Sequence, residues 1–197
     1  MAMGRPRAFC VDEALNRALE VFWRKGYEGA SLSDLTDAMG INKPSMYAAF
    51  GNKEDLFRKA LERYTKEKVA YLREAVDAST AYGMAERMLI GAAEMLTNPA
   101  HPVGCLTVKG AMTCGDQAPS VKQELDHIRV KFETSMRERL ERAKDAGDLP
   151  ADADPAHLCR FLSTIIQGMS VQAANGASRN DLLMVAQTAL KAWPTKG

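Results

Sequence analysis

A chain of 197 residues is long enough to form one large domain or two small ones around a buried core. Hydrophobic residues make up 46% of the sequence and charged residues 26%, which is ordinary for a soluble globular protein. The formal net charge is only +1, so the overall charge does not indicate nucleic-acid binding. Any such activity would depend on a local arrangement of charge.

The N-terminus and the apolar runs predict a cytoplasmic protein without membrane contact. The first residues, MAMGRPRAFC, lack the apolar run of a signal peptide. No stretch approaches the roughly 18 uninterrupted apolar residues of a membrane span. The cysteines lie far apart without a paired pattern, which favours free thiols in a reducing cytoplasm. They are Cys10, Cys105, Cys114 and Cys159.

Every predicted element is helical, since no run of alternating apolar and polar residues is bounded by hairpin turns. The first predicted helix begins with Asp12 as its N-cap and ends at Gly26. Its apolar residues recur at the i, i+3, i+4 spacing of one buried face. They are Leu15, Ala18, Leu19, Phe22 and Trp23.

Two short helices are predicted next. Ser31 and Asp34 match the capping box that begins a helix, and Gly40 ends that helix. Asn42 caps the following helix, which has Pro44 in its first turn, where a missing N–H costs little. Helices this short rarely stand alone in water, so we expect both to pack against the first one.

A longer helix is predicted from the cap formed by Asn52 and Asp55 to about Val76. Later helices are predicted over residues 82–97, 104–114, 120–147, from 155 onward and over 180–193, with Ser120 and Asp154 as caps. Together these elements predict an all-α fold of about nine helices. We expect an N-terminal domain over 1–60 and a C-terminal domain over 61–197.

The two short helices and the glycine between them match helix-turn-helix geometry. Their apolar residues are expected to pack against Leu19 and Phe22 of the first helix. This packing leaves an outward face at the start of the second short helix that can enter a major groove. The outward residues are Lys43, Pro44, Ser45 and Tyr47. Short capped helices also occur in all-α domains that bind no DNA, so geometry alone leaves both alternatives open.

Local charge favours DNA binding. No Asp or Glu occurs over residues 38–53, where two lysines are the only charged residues. Arg5 and Arg7 add two cations on an N-terminal arm that suits a phosphate or minor-groove contact. Residues 1–63 nevertheless hold 10 Lys and Arg against 9 Asp and Glu, a net charge of +1. We therefore expect two copies to bind a two-fold site in double-stranded DNA.

The segment ALEVFWRKGYEGASLSDLTDAMGINKPSMYAAFGNKEDLF resembles the N-terminal DNA-binding domain of the TetR family of bacterial transcriptional regulators. The family pattern is an aliphatic-aromatic helix ending in G(Y/F), a Ser/Thr-headed second helix, then G(V/I)-x-(K/R)-x-(S/T)-x-Y-x-x-F and K-x-x-L. Pro44 stands where many members carry glycine. The resemblance implies a regulator and not an enzyme. An all-α thiol or metal enzyme and a non-DNA adaptor are alternatives, but no HExxH, P-loop or GxGxxG motif is present.

The resemblance also implies residue roles at the DNA. Tyr47 and Lys53 match residues that contact backbone phosphate, and Ser31 matches the start of a helix whose hydroxyl and N–H reach phosphate. The residues that match positions near or in the groove are Lys43, Pro44 and Ser45. Lys43 and Ser45 can alternatively contact phosphate alone, and Tyr47 can alternatively be a packing residue.

The resemblance further implies that the C-terminal half binds a small-molecule effector and forms a homodimer. The last two predicted helices carry broad apolar faces, which favours dimerisation through a helix pair. The same faces can instead close the protein's own core. The dimer candidates are Leu158, Phe161, Leu162, Ile165, Ile166, Leu183, Val185 and Leu190.

Flexible methionines can line an adaptable ligand pocket, although a core role is the alternative for each of them. The ligand-binding candidates are Met84, Met88, Met95, Cys105, Met112, Phe132, Met136 and Met169. A set of soft-metal ligands matches no spacing typical of a metal site, so we expect no metal and no cofactor. That set is His101, Cys105, Cys114 and His127. A redox switch through Cys105 and Cys114 is a further alternative.

The sequence thus predicts a ligand-responsive DNA-binding regulator. The resemblance implies a repressor that binds a palindromic operator as a homodimer and is released by a small-molecule inducer.

Overall fold

The computed structural model describes residues 9–113 and 118–195 of the chain. All regular structure within these ranges is helical, which confirms the predicted all-α fold. The described residues form ten α-helices and one π-helical turn. They are α1 (Val11–Gly29), α2 (Leu32–Met39), α3 (Lys43–Phe50), α4 (Lys53–Arg63), the π turn (Tyr64–Lys68), α5 (Ala70–Val76), α6 (Ala81–Leu96), α7 (Leu106–Thr113), α8 (Pro119–Asp145), α9 (Pro155–Ala174) and α10 (Arg179–Lys191).

The tenth helix exists because the predicted long fourth helix is divided. α4 ends at Arg63, and the π turn separates it from α5. Tyr64, the first residue of the π turn, is fully buried, and its hydroxyl group contacts the start of α7. A π turn interrupts the regular hydrogen-bond pattern, so α5 is not a simple continuation of α4. The prediction of one helix to about Val76 is therefore wrong, because local periodicity does not reveal these long-range contacts.

Side-chain caps begin three helices of the N-terminal part where they were predicted. Ser31 Oγ accepts a hydrogen bond from the Asp34 N–H at 3.0 Å, and Asp34 Oδ2 accepts one from the Ser31 N–H at 3.0 Å. Asn52 and Asp55 form the same reciprocal pair. The Asn42 side-chain oxygen accepts an N–H from the first turn of α3 at 2.9 Å. These bonds satisfy N–H groups that a helix start leaves without an intrahelical partner.

Two other predicted caps are wrong. α1 begins at Val11, so Asp12 lies inside the first turn, where its carboxylate lies 2.6 Å from the guanidinium of Arg63. α8 begins at Pro119, so Ser120 also lies inside a first turn. Proline suits the first helical position because its φ is already helical and its missing N–H needs no partner there.

α1 connects the two halves of the fold because it packs against α2, α4 and α7. Phe22 contacts Phe57 of α4 edge to face, with ring centroids 5.0 Å apart. The neighbouring Trp23 contacts the other half: its indole N–H donates to the Gly104 carbonyl at 3.0 Å, and its ring stacks on His101 at 4.5 Å. The short helices are therefore joined through α1 to the segment that leads into α7.

Candidate nucleic-acid interface

A tight turn at Gly40 sets the angle between α2 and α3. Gly40 has φ 67° and ψ 30°, in the left-handed region that favours glycine. Its N–H donates to the Asp37 carbonyl at 3.2 Å, and the Ile41 N–H donates to the Thr36 carbonyl at 3.1 Å. These bonds satisfy carbonyl groups at the end of α2 and direct the chain into α3 within a few residues.

The inner faces of α2 and α3 are buried in the same core as α1. Leu35 and Met39 of α2 and Met46 and Phe50 of α3 expose no more than 3% of their surface. This confirms the prediction that the apolar residues of the two short helices pack in one core with Leu19 and Phe22. Apolar packing therefore fixes the orientation of α3, and the opposite face of the helix is not needed for the core.

The outer face of α3 is formed by Lys43, Pro44, Tyr47 and Ala48, which are exposed, with Ser45 half-buried beside them. Tyr47 exposes 47% of its surface, which argues against a role in packing alone. The sequence alone does not indicate Ala48 as a DNA contact, because alanine carries no group typical of DNA binding. It lies one turn after Pro44, however, and so shares its side of the helix.

Ser31 is exposed at the start of α2, as predicted for a phosphate contact, but its hydroxyl is already bonded. That hydroxyl donates to Asp34 Oδ2 at 2.8 Å, and Lys25 Nζ lies 2.6 Å from Oδ1 of the same carboxylate. Hydrogen bonds from Lys25 and Ser31 lower the pKa of Asp34 from 3.8 to about 2. The Lys25 ammonium group thus offsets the acidic charge nearest to the predicted phosphate contact.

Lys53 begins α4 with its ammonium group above an aromatic ring. Lys53 Nζ lies 4.5 Å from the ring centroid of Tyr27, which is the geometry of a cation–π contact. Partial burial lowers the pKa of Lys53, and the charge of Glu28 acts in the opposite direction. The ring restricts the lysine to the N-terminus of α4, where the helix dipole also favours an anion. This geometry fits the predicted phosphate contact.

Several predictions concern residues or groups elsewhere. Arg5 and Arg7 lie outside the described residues, as does Cys114. Cys10, Cys105 and Cys159 are free thiols.

Within the described ranges, no group of three or more His, Cys, Asp or Glu side chains is arranged to hold a metal ion. None of the helices in the part of the chain that the structure describes is long and apolar enough to cross a membrane.

The ligand-binding candidates divide by burial. Most of the methionines are fully or almost fully buried in the core, namely Met84, Met88, Met95, Met136 and Met169. Cys105 and Phe132 are partly buried against that core. The side chain of Met112 lies outside the described residues. The buried methionines are thus core residues in this conformation, and pocket lining by them stays a prediction.

The dimer candidates also divide. Leu162 and Leu190 are buried in the protein's own core, which leaves them little surface for a partner. The candidates that remain partly or largely exposed are Leu158, Phe161, Ile165, Ile166, Leu183 and Val185. An open apolar groove of about 420 Å³ runs between α9 and α10, and its lining includes Phe161, Ile165 and Val185. Met184, 60% exposed, extends the same apolar surface.

A hydrogen-bonded cluster joins the π turn to the start of α7. The Tyr64 hydroxyl donates to Cys105 Sγ at 3.1 Å and accepts the Leu106 N–H at 3.3 Å. The Cys105 N–H donates to Ser170 Oγ of α9 at 3.0 Å. Together with the bond from Trp23 to the preceding loop, this cluster ties α1, α7 and α9 to one another.

Two family models match the chain. One, described as bacterial regulatory proteins of the tetR family, matches residues 14–60, and the other, a tetracyclin repressor-like C-terminal domain, matches residues 86–188. The chain is 35% identical over 195 residues to the HTH-type transcriptional repressor ComR of Escherichia coli K12, with 97% of this chain and 92% of ComR covered. It is 29% identical over 195 residues to the HTH-type transcriptional repressor BdcR of the same organism, with 98% and 93% covered.

Solved structures agree with these matches. A cysteine-substituted form of the TetR family transcriptional regulator CifR, in complex with 26-base-pair double-stranded operator DNA, has a TM-score of 0.90 and 44% identity. The alignment covers 96% of this chain and 100% of the CifR chain. These relatives are transcriptional regulators and not enzymes. Both halves of the sequence match one family in sequence and fold, and the chain therefore belongs to the TetR family of DNA-binding bacterial transcriptional regulators.

Proposed function

We propose that this protein is a cytoplasmic transcriptional repressor that binds a palindromic operator as a homodimer and leaves it when a small molecule binds its C-terminal half. The observation that carries the proposal is the exposed, acid-free outer face of α3, with Lys43 and Tyr47, followed by Lys53 at the start of α4. A major groove admits such a helix, and its phosphates attract such a surface.

The small size of this surface and the apolar groove between α9 and α10 support the proposed homodimer. One copy presents few cations to DNA, whereas two copies on a two-fold site double the contacts. A groove of about 420 Å³ lined by Phe161, Ile165 and Val185 is an apolar surface that a second copy can cover. The dimer surface would then lie on the last two helices and leave α3 free.

The contacts between the two halves support the proposed control by an effector. We place the DNA-binding domain at residues 1–60 and the effector and dimerisation domain at 61–197. Trp23 and Tyr64 both bond the segment that begins α7, so a ligand that moves α7 also moves α1 and α4. Such a ligand acts only if it binds the two arrangements with different affinity.

The relatives support this proposal. ComR and BdcR, which align with nearly the whole chain, are named as repressors. CifR, which has 44% identity to this chain, was solved on operator DNA. A second cysteine-substituted form of CifR, solved with 26-base-pair operator DNA, has a TM-score of 0.91, which supports a conformation competent for operator binding.

Selection of an operator from random double-stranded DNA tests the proposal. We expect the full chain to enrich a palindrome whose half-sites lie about one helical turn, roughly 10 base pairs, apart or a multiple of that. Lys43→Ala should weaken binding to this site, and Tyr47→Phe should do so by removing one hydroxyl. Lys131→Ala, which removes an exposed lysine from α8, is the matched control and should bind like the wild type. Enrichment of no sequence by the wild type would show that the proposal is wrong.

A further inference from the structure

The outer face of α3 is short of the side chains that form paired hydrogen bonds to bases. The helix sequence, KPSMYAAF, contains no Arg, Asn or Gln, so Lys43 is its one side chain of the kinds that form paired hydrogen bonds to guanine or adenine. Asn42 precedes the helix, but its amide oxygen already accepts the Ser45 N–H at 2.9 Å. Hydrogen bonding to bases from α3 is therefore left to single groups such as the Lys43 ammonium.

Two exposed residues of α3 offer carbon and no polar side-chain atom. Pro44 and Ala48 lie four positions apart, so the proline ring and the alanine methyl share one side of the helix. Pro44 also lacks an N–H, so it cannot donate a backbone hydrogen bond to a phosphate or a base. Both residues lie on the outer face, and the buried positions Met46 and Phe50 point into the core.

In a major groove, one apolar group is available to pair with such a surface. The C5-methyl group of thymine projects into the groove, and contact with it excludes water from both apolar surfaces. We propose that Pro44 and Ala48 determine operator specificity by contacting thymine methyl groups. The inference rests on the proposed function and names the chemistry by which the same helix recognises its operator.

The spacing of the two residues constrains the operator. Four residues of α-helix rise about 6 Å along the axis. Stacked base pairs rise about 3.4 Å, so two contacts along a groove-aligned helix fall about two base pairs apart. Each half-site should thus contain two methyl-sensitive thymines near that separation, and the two-fold operator should contain four.

Replacement of single thymines by deoxyuridine in the selected operator tests the inference, because deoxyuridine keeps the base-pairing groups and lacks the methyl group. We expect two positions in each half-site at which this change weakens binding by about fourfold, which corresponds to about 0.8 kcal/mol for one buried carbon group. The same change in both half-sites should weaken binding by about 16-fold, since distant sites add.

Protein variants identify the partner of each methyl. The loss of affinity caused by deoxyuridine at one position is called its penalty. Ala48→Gly should abolish the penalty at one of the two positions, and Pro44→Gly should abolish the penalty at the other. Ala49→Gly introduces the same glycine into α3 at a residue that packs against the core, and it should keep both penalties. Because each penalty compares two operators on one protein, any loss of helix stability cancels from the comparison.

The outcomes separate this inference from the proposed function. If the wild type binds a selected operator but deoxyuridine has no effect at any thymine, the thymine contact is wrong and the repressor proposal stands. If the penalties occur and persist in both glycine variants, other residues contact the methyl groups and the assignment to Pro44 and Ala48 is wrong. If no operator is selected, both proposals fail.

Discussion

Replacing Tyr64 by phenylalanine removes one hydroxyl group from the junction between the two halves of the protein. The Tyr64 side chain is fully buried, and its hydroxyl accepts the Leu106 N–H at 3.3 Å and donates to Cys105 Sγ at 3.1 Å. Burial, and then the proximity of Cys105, raises the pKa of Tyr64 well above its ordinary value. The hydroxyl therefore keeps its proton over the usual range of assay pH and acts as the donor to the sulfur.

The magnitude follows from the group that loses its partner. Leu106 is fully buried, so the substitution leaves its N–H without the Tyr64 oxygen as acceptor. An unsatisfied buried donor costs about 1–3 kcal/mol, and a bond of 3.3 Å is long, so we expect the free energy of unfolding to fall by about 1 kcal/mol. For a chain of this size, that loss lowers Tm by about 2–4 °C.

Thermal unfolding followed by circular dichroism measures this change. All proteins should be compared at one concentration, because the Tm of an oligomer depends on concentration. Tyr82→Phe removes the same hydroxyl from a side chain of α6 that is 39% exposed, and its Tm should match the wild type. Equal Tm values for Tyr64→Phe, Tyr82→Phe and the wild type would refute the assigned role of the buried hydroxyl.

Three other predictions concern the turn, an acidic group and the dimer. Gly40→Ala forces an alanine to φ 67° and should lower the free energy of unfolding by about 1–2 kcal/mol. Gly29→Ala adds a Cβ with ordinary contacts and should not lower Tm, so thermal unfolding of the two variants tests the turn. The depressed pKa of Asp34, about 2 against 3.8, gives stability that is present above about pH 4 and lost as the pH falls toward 2. Asp34→Asn should therefore have a lower Tm than the wild type at pH 7 and should approach it near pH 2. Val185→Asp should be a monomer in sedimentation velocity experiments. The control Val130→Asp, which changes a 51% exposed valine of α8, should remain a dimer. Dimers for both variants would contradict the assigned interface.

The helix caps at Ser31, Asn42 and Asn52 could be predicted from the sequence because they depend on neighbouring residues. Ser31 and Asp34 are three residues apart, and their reciprocal hydrogen bonds form whenever that segment begins a helix. Asn52 and Asp55 follow the same rule, and Asn42 caps α3 through one bond, from the Ser45 N–H. The interruption after α4 could not be predicted in this way, because Tyr64 is bonded to Cys105 and Leu106, about 40 positions later in the chain.

The division of apolar residues between core and surface also depends on distant contacts. Leu162 and Ile165 belong to one helix and have similar side chains, yet Leu162 is fully buried and Ile165 keeps part of its surface exposed in the groove. Periodicity identifies both as apolar-face residues and cannot distinguish them. Packing of α9 against α6 and α8 decides which of them belongs to the core.

At the candidate DNA interface, the sequence predicted the charged and hydroxyl residues and Pro44, but it did not indicate Ala48. Lys43, Tyr47 and Lys53 carry groups that bind phosphate, so the sequence points to them directly. Ala48 became a candidate only when its exposure beside Pro44 was known. The support of Lys53 by the ring of Tyr27 likewise required the three-dimensional structure.

The salt dependence of operator affinity tests most directly whether the α3–α4 surface binds DNA. The full chain should be titrated with its selected operator over a range of salt concentrations, together with Lys53→Ala and the control Lys131→Ala. Each lost phosphate contact reduces the slope of log K against log salt by about 0.9, so a dimer that loses two Lys53 contacts should lose about 2 from its slope. The control should keep the wild-type slope. An unchanged slope for Lys53→Ala, or a wild-type affinity independent of salt, would contradict the assigned DNA surface.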